Sequence, residues 1–160
     1  MKRIVAIAGV ALIGQLLLAQ TGLPKPAASD MNLYPSPGVA AADLRAAEAR
    51  AAKERKRVLV VVGANWCGDC QSLNMAFHSK ELAPLLDASY VVVHVNIGDE
   101  GKENHDVAAR LRVPLEKGIP GLAVLESDGK VVFAQKNGEF ESADKIGMGD
   151  VRAFLEKWKR

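Results

Sequence analysis

The chain has 160 residues, 49% of them hydrophobic and 25% charged. That balance suits a folded globular protein and excludes both a disordered chain and a chain embedded throughout in a membrane. The formal charge of +2 is too small for the basic footprint that nucleic acid demands, so nucleic acid is not expected as a partner.

Met1-Lys2-Arg3 followed by an apolar stretch over 4–19 has the pattern of an exported chain, a positive n-region before an h-region. Residues 1–20 are therefore expected to be a signal peptide, or an N-terminal membrane anchor if uncleaved. The folded part is then expected in an exported, oxidising compartment, in a bacterium the periplasm. Residues 21–38 hold Pro24, Pro26, Pro35 and Pro37 and are expected to form a linker, because proline removes donors and restricts its neighbours. The domain proper is expected over 39–160.

Residues 40–55 are rich in Ala, Arg, Glu and Lys and predict a helix, with Leu44, Ala47 and Ala51 on one face. The basic run 53–57 reads as the solvated end of that helix. Val58-Leu59-Val60-Val61-Val62 is a continuous apolar run, as in a strand covered on both faces. Residues 66–77 predict a second helix through Cys70, Leu73 and Phe77, and Ser79 an N-cap for a short helix carrying Leu82, Leu85 and Leu86. A β-branched run over 90–97 predicts a second strand, and 104–111 a helix capped by Asn104. Asp128-Gly129 between two apolar runs signals a hairpin. Val151, Phe154, Leu155 and Trp158 give a terminal amphipathic helix. The order implies a parallel strand pair joined by a right-handed crossover, with an antiparallel hairpin added.

The chain's two cysteines, Cys67 and Cys70, fall between the first strand and its helix. A staple gains most by closing a long loop, so this short pair reads as chemistry rather than scaffolding. Cys67 at a helix N-terminus meets free N–H groups and the macrodipole, which favour its thiolate, the reactive form. Cys70, one turn on, can resolve a mixed disulfide formed at Cys67. A c-type haem would require His where Gln71 stands. A structural zinc would require four ligands, and His78, His94 and His105 lack the spacing. No metal or cofactor is expected.

Ala64-Asn65-Trp66-Cys67-Gly68-Asp69-Cys70 resembles the active-site segment of the thioredoxin superfamily, and Lys117-Gly118-Ile119-Pro120 resembles its Gly-Ile-Pro segment. The resemblance runs over about 57–159. It implies an α/β fold, three-layer α/β/α with a mixed central sheet, and a thiol–disulfide oxidoreductase. It further implies a cis Ile119–Pro120 bond facing the cysteines, with Trp66, Ile119 and Pro120 holding substrate. The partners implied are proteins bearing disulfides or dithiols, with a membrane electron carrier as redox partner. One departure stands out: Val61 occupies the place, six residues before the first cysteine, where thioredoxins usually carry a buried Asp. His94, near where the family often has Lys, is a candidate modulator titrating near neutral pH. Gly68 and Asp69 are the other modulating residues. A carboxylate beside Cys67 opposes its thiolate, which favours a reductase or interchange role over a strong oxidase. The alternative is a binding module on the same fold, redox-gated or holding copper or zinc between the thiols and a histidine.

Overall fold

The computed structural model describes residues 22–27, 30 and 32–160. The expected signal peptide or anchor, 1–20, lies outside the described residues. In chain order the elements are α1 (Ala40–Glu54), β1 (Arg57–Gly63), α2 (Gly68–Phe77), α3 (Ala83–Ser89), β2 (Tyr90–Asn96), α4 (His105–Arg110), β3 (Gly121–Leu125), β4 (Val131–Ala134) and α5 (Met148–Trp158). The strands form one sheet in the order β2-β1-β3-β4. β1 pairs parallel with β2 and antiparallel with β3, and β3 pairs antiparallel with β4. The sheet is thus mixed, and β1 is central.

Strand alternation sorts the apolar run into two cores. Val58, Val60 and Val62 face Leu44, Ala47 and Ala51 of α1 and Val107 and Ala108 of α4. Leu59 and Val61 face the other way, towards Leu73 and Phe77 of α2 and Val151, Phe154 and Leu155 of α5. Helices therefore cover both faces of the sheet, the three-layer α/β/α arrangement expected. A run covered on both sides loses the polar–apolar alternation of a half-exposed strand, which is why it reads as continuously apolar.

Helix ends follow local chemistry with two departures from expectation. Arg55 takes a left-handed conformation, φ 57°, and ends α1. Ser79 does not cap α3 itself; its Oγ accepts from Leu82 N, the residue that precedes the helix, at 3.2 Å. Asn104 precedes α4 but makes no side-chain cap. Its amide donates instead to Pro37 O at 2.9 Å and to Asn96 O at 2.7 Å. Asn tolerates its left-handed backbone, φ 56°, and the freed side chain serves a longer-range tie.

The described part of the Pro-rich segment, expected to act as a linker, lies against the domain. Leu23 and Tyr34 are buried in the α2/α5 core. Asn65 and Tyr34 exchange a reciprocal pair: Tyr34 N donates to Asn65 Oδ1 at 2.7 Å, and Asn65 Nδ2 to Tyr34 O at 3.1 Å. Gln71 brackets Asp30 in the same way, accepting from its N at 3.2 Å and donating to its O at 3.0 Å. Asn96 donates to Pro35 O at 2.8 Å. A segment whose prolines cannot pair as a strand is thus held by amide side chains of the domain, which offer donor and acceptor together.

Candidate active site

β1 ends at Gly63 and the chain turns through Ala64, Asn65 and Trp66 into α2. Cys67 is the N-cap of α2, and its Sγ accepts from Cys70 N at 3.1 Å. The N-cap position points the sulfur at N–H groups that the helix leaves unpaired, and the macrodipole adds to their field. Cys70 follows one turn later on the same face, and the two sulfurs are joined as a disulfide with a Cα–Cα distance of 5.3 Å. Cys67 retains 5% exposure and Cys70 only 1%. Both are buried, and Cys67 is the more accessible of the two.

The Ile119–Pro120 bond is cis. Ile119 O lies 3.8 Å from Cys67 Sγ. Gln135, itself buried, holds this loop by donating from Nε2 to Pro120 O at 3.2 Å. Trp66, half exposed at 50%, is fixed by its indole N–H, which donates to Gly98 O at 3.0 Å. A flat apolar face beside the cysteine motif is thereby held at the surface.

The modulating residues separate. A Cβ on Gly68 would meet no neighbour within 4 Å. Asp69 accepts from Ala143 N at 2.8 Å, so its carboxylate ties α2 to the loop before α5. His94 sits opposite Val61 in the β1–β2 register and meets the Tyr34 ring edge-on, with centroids 5.0 Å apart. Burial pushes its pKa down to about 4, with nearby His78 adding to the effect. The expectation that His94 titrates near neutral pH is therefore corrected: desolvation disfavours the imidazolium, and His78 acts in the same direction.

Tyr34 is the residue that sequence reasoning missed. It is 2% exposed, and its hydroxyl finds no hydrogen-bond partner among the described residues. A Cβ built on Gly63 would fall 2.4 Å from Tyr34 Oη and 2.7 Å from Cys70 Sγ. Hydroxyl and sulfur therefore both border the space that a side chain would fill at Gly63, the one residue of β1 that has none. The clue available in the sequence was a pair of large apolar residues, Leu33 and Tyr34, inside a segment otherwise fit for a linker. Among the described residues no group of three or more His, Cys, Asp or Glu side chains is placed to hold a metal ion.

A three-layer α/β/α domain with a mixed sheet, a Cys-x-x-Cys pair at the N-terminus of the helix after its central strand and a cis-proline loop across from it defines a class of redox-active folds. The thioredoxin-like family profile matches residues 39–127, and the chain belongs to that family. Among solved structures it is similar to the disulphide isomerase from Xylella fastidiosa Temecula1 at 30% identity and a TM-score of 0.71, over 78% of this chain and 95% of that one. The thioredoxin from Thermus thermophilus shares the fold at 23% identity and a TM-score of 0.50, over 78% of this chain and 83% of that one. No curated protein matches the chain significantly. Family and cysteine pair together make this a thiol–disulfide oxidoreductase.

Proposed function

We propose that the protein acts on disulfides of other exported proteins as a reductase or interchange catalyst, with Cys67 as nucleophile and Cys70 as resolving thiol. The observation that carries this reading is the N-cap position of Cys67, whose sulfur accepts a hydrogen bond from Cys70 N at 3.1 Å. In the reduced protein that contact and the macrodipole stabilise a thiolate on Cys67. The thiolate attacks one sulfur of a substrate disulfide; the other sulfur leaves as a thiolate and takes up a proton. Cys70 then loses its proton and attacks Cys67 Sγ, the mixed disulfide breaks, and the second substrate thiol departs. Two electrons pass from the dithiol to the substrate. The Ile119 carbonyl and the Trp66 face serve as the surfaces against which an extended substrate lies.

The lean towards reduction or interchange is supported by Asp69, whose carboxylate opposes charge on the adjacent Cys67, and by the likeness to the disulphide isomerase from Xylella fastidiosa. Export is supported by the positive start and apolar stretch of residues 1–19. A membrane electron carrier would then restore the dithiol. Replacing Cys70 with Ser removes the resolving thiol, so reduced protein should accumulate covalent adducts with substrates through Cys67, reversible by dithiothreitol. Absence of adducts together with absence of insulin reduction defeats the proposal. A redox titration against glutathione tests direction: a potential near that of the strongest oxidants overturns the reductase or interchange assignment.

A further inference from the structure

Resting on the thiol–disulfide reading above, we infer that the Tyr34 hydroxyl is the hydrogen-bond donor that receives the negative charge of Cys70 when this thiol resolves a mixed disulfide. The argument begins with cost. Cys70 is 1% exposed, and an apolar setting disfavours the thiolate on which its attack depends. β1 and β2 carry no acidic residue, and β1 presents the apolar Val61 on this face. The Asp69 carboxylate is engaged with Ala143 N. A polar atom on the same side as Cys70 Sγ is Tyr34 Oη: both border the space above Gly63, within 3 Å of where its Cβ would stand. It is a buried hydroxyl with no partner among the described residues. Such a group is costly to leave unpaired, and a charged sulfur is the acceptor that would satisfy it.

The direction of transfer is fixed by the hydroxyl. Burial pushes the Tyr34 pKa up from its ordinary value, so it keeps its proton and acts as a donor, not as a base. The step balances without it: Cys70 gives its proton to solvent, its thiolate forms the bond to Cys67 Sγ, and the departing substrate thiolate takes a proton back. Other titratable groups around the pair are few. His94 meets the Tyr34 ring from β2 and, with its pKa near 4, is neutral wherever thiols titrate; His78 stands near it at the end of α2. Asp30 lies along the same segment, its Oδ1 accepting from Asn32 N. Cys67 itself is the remaining group.

The test uses Tyr34→Phe, which keeps the ring against His94 and removes its unpartnered hydroxyl. In a Cys67→Ser background, thiolate absorbance at 240 nm reports Cys70 alone. Tyr34→Phe should raise the Cys70 pKa so that the thiolate fraction at a given pH falls about tenfold or more, as expected for a hydrogen bond to a charged group. With both cysteines present, the variant should release a glutathione mixed disulfide about tenfold more slowly at neutral pH and recover at higher pH. The first attack by Cys67 should keep its rate. Identical Cys70 titrations with and without the hydroxyl overturn the inference. Because that titration needs no substrate, its failure is distinguishable from failure of the functional reading, which would show as absent exchange activity with the titration difference intact. Should the variant fail to fold, 13Cζ-labelled tyrosine in the otherwise unaltered Cys67→Ser chain gives the answer. The Tyr34 signal must titrate with Cys70, and a signal that does not move refutes the contact.

Discussion

His94 makes the stability of this domain sensitive to mild acid in a way that can be worked out in advance. The imidazole is held neutral between the sheet and the Tyr34 ring, its pKa pushed from 6.5 down to about 4. Between those values the unfolded chain binds the proton and the folded chain does not, so stability rises with pH across the window. The contribution is complete above pH 6.5 and is lost as the pH falls towards 4. Each pH unit of that gap corresponds to about 1.4 kcal/mol, so about 3 kcal/mol is lost by pH 4. That is a large share of the roughly 5–15 kcal/mol that holds a typical domain together. His94→Leu removes the proton-binding group and leaves a branched apolar body against Tyr34. Urea unfolding followed by circular dichroism at pH 7 and pH 4 measures both chains in the oxidised state. The native protein should lose about 3 kcal/mol more than the variant, or roughly 1.5 M in midpoint at a slope of about 2 kcal/mol per molar urea. Exposed carboxylates such as Glu54, common to both chains, cancel in the comparison. Equal losses in the two proteins would refute the claim that burial holds His94 neutral.

Two further perturbations probe how the N-terminal segment is held. Asn65→Ala strands both backbone groups of Tyr34 that Asn65 now pairs, and should cost about 2–4 kcal/mol in urea unfolding while opening the region around Tyr34 to limited proteolysis. Gly63→Ala drives a methyl to within 2.4 Å of Tyr34 Oη and 2.7 Å of Cys70 Sγ, so the domain should lose about 1–3 kcal/mol from overpacking, with unchanged stability counting against this packing.

What the sequence disclosed was what neighbouring residues decide. The run Val58-Leu59-Val60-Val61-Val62 declares a doubly covered strand because composition alone reports burial on both faces. Asp128-Gly129 declares the β3–β4 hairpin because Gly129 takes a positive φ of 84° that glycine adopts at no steric cost. The cysteine spacing placed Cys67 one helical turn from Cys70 for the same local reason. Tertiary choices stayed hidden. Asn104 has the chemistry of a cap, yet Pro37 O and Asn96 O claim its amide. His94 has an ordinary titration in isolation, and only its burial in the fold reveals the shift. The prolines of residues 21–38 speak for a linker as long as the amides that grip the segment, up to 67 residues away, are not in view.

Those amides couple the segment to the reacting sulfurs. Asn65 belongs to the turn that delivers Cys67; its side chain holds the backbone of Tyr34, and its carbonyl accepts from Gln71 Nε2 on α2 at 3.1 Å. Gln71, next in sequence to Cys70, in turn grips Asp30. The same two side chains thus tie the segment to both ends of the Cys67-to-Cys70 turn. The family match begins at residue 39, beyond all of these contacts. A domain cut at that boundary would keep the disulfide and the cis-proline loop. It would lose the Tyr34 hydroxyl and leave four amide side chains, those of Asn65, Gln71, Asn96 and Asn104, without the segment partners they now bind. The redox site of this chain is thus built from two stretches of sequence, one carrying the sulfurs and one carrying the donor poised against the buried member of the pair.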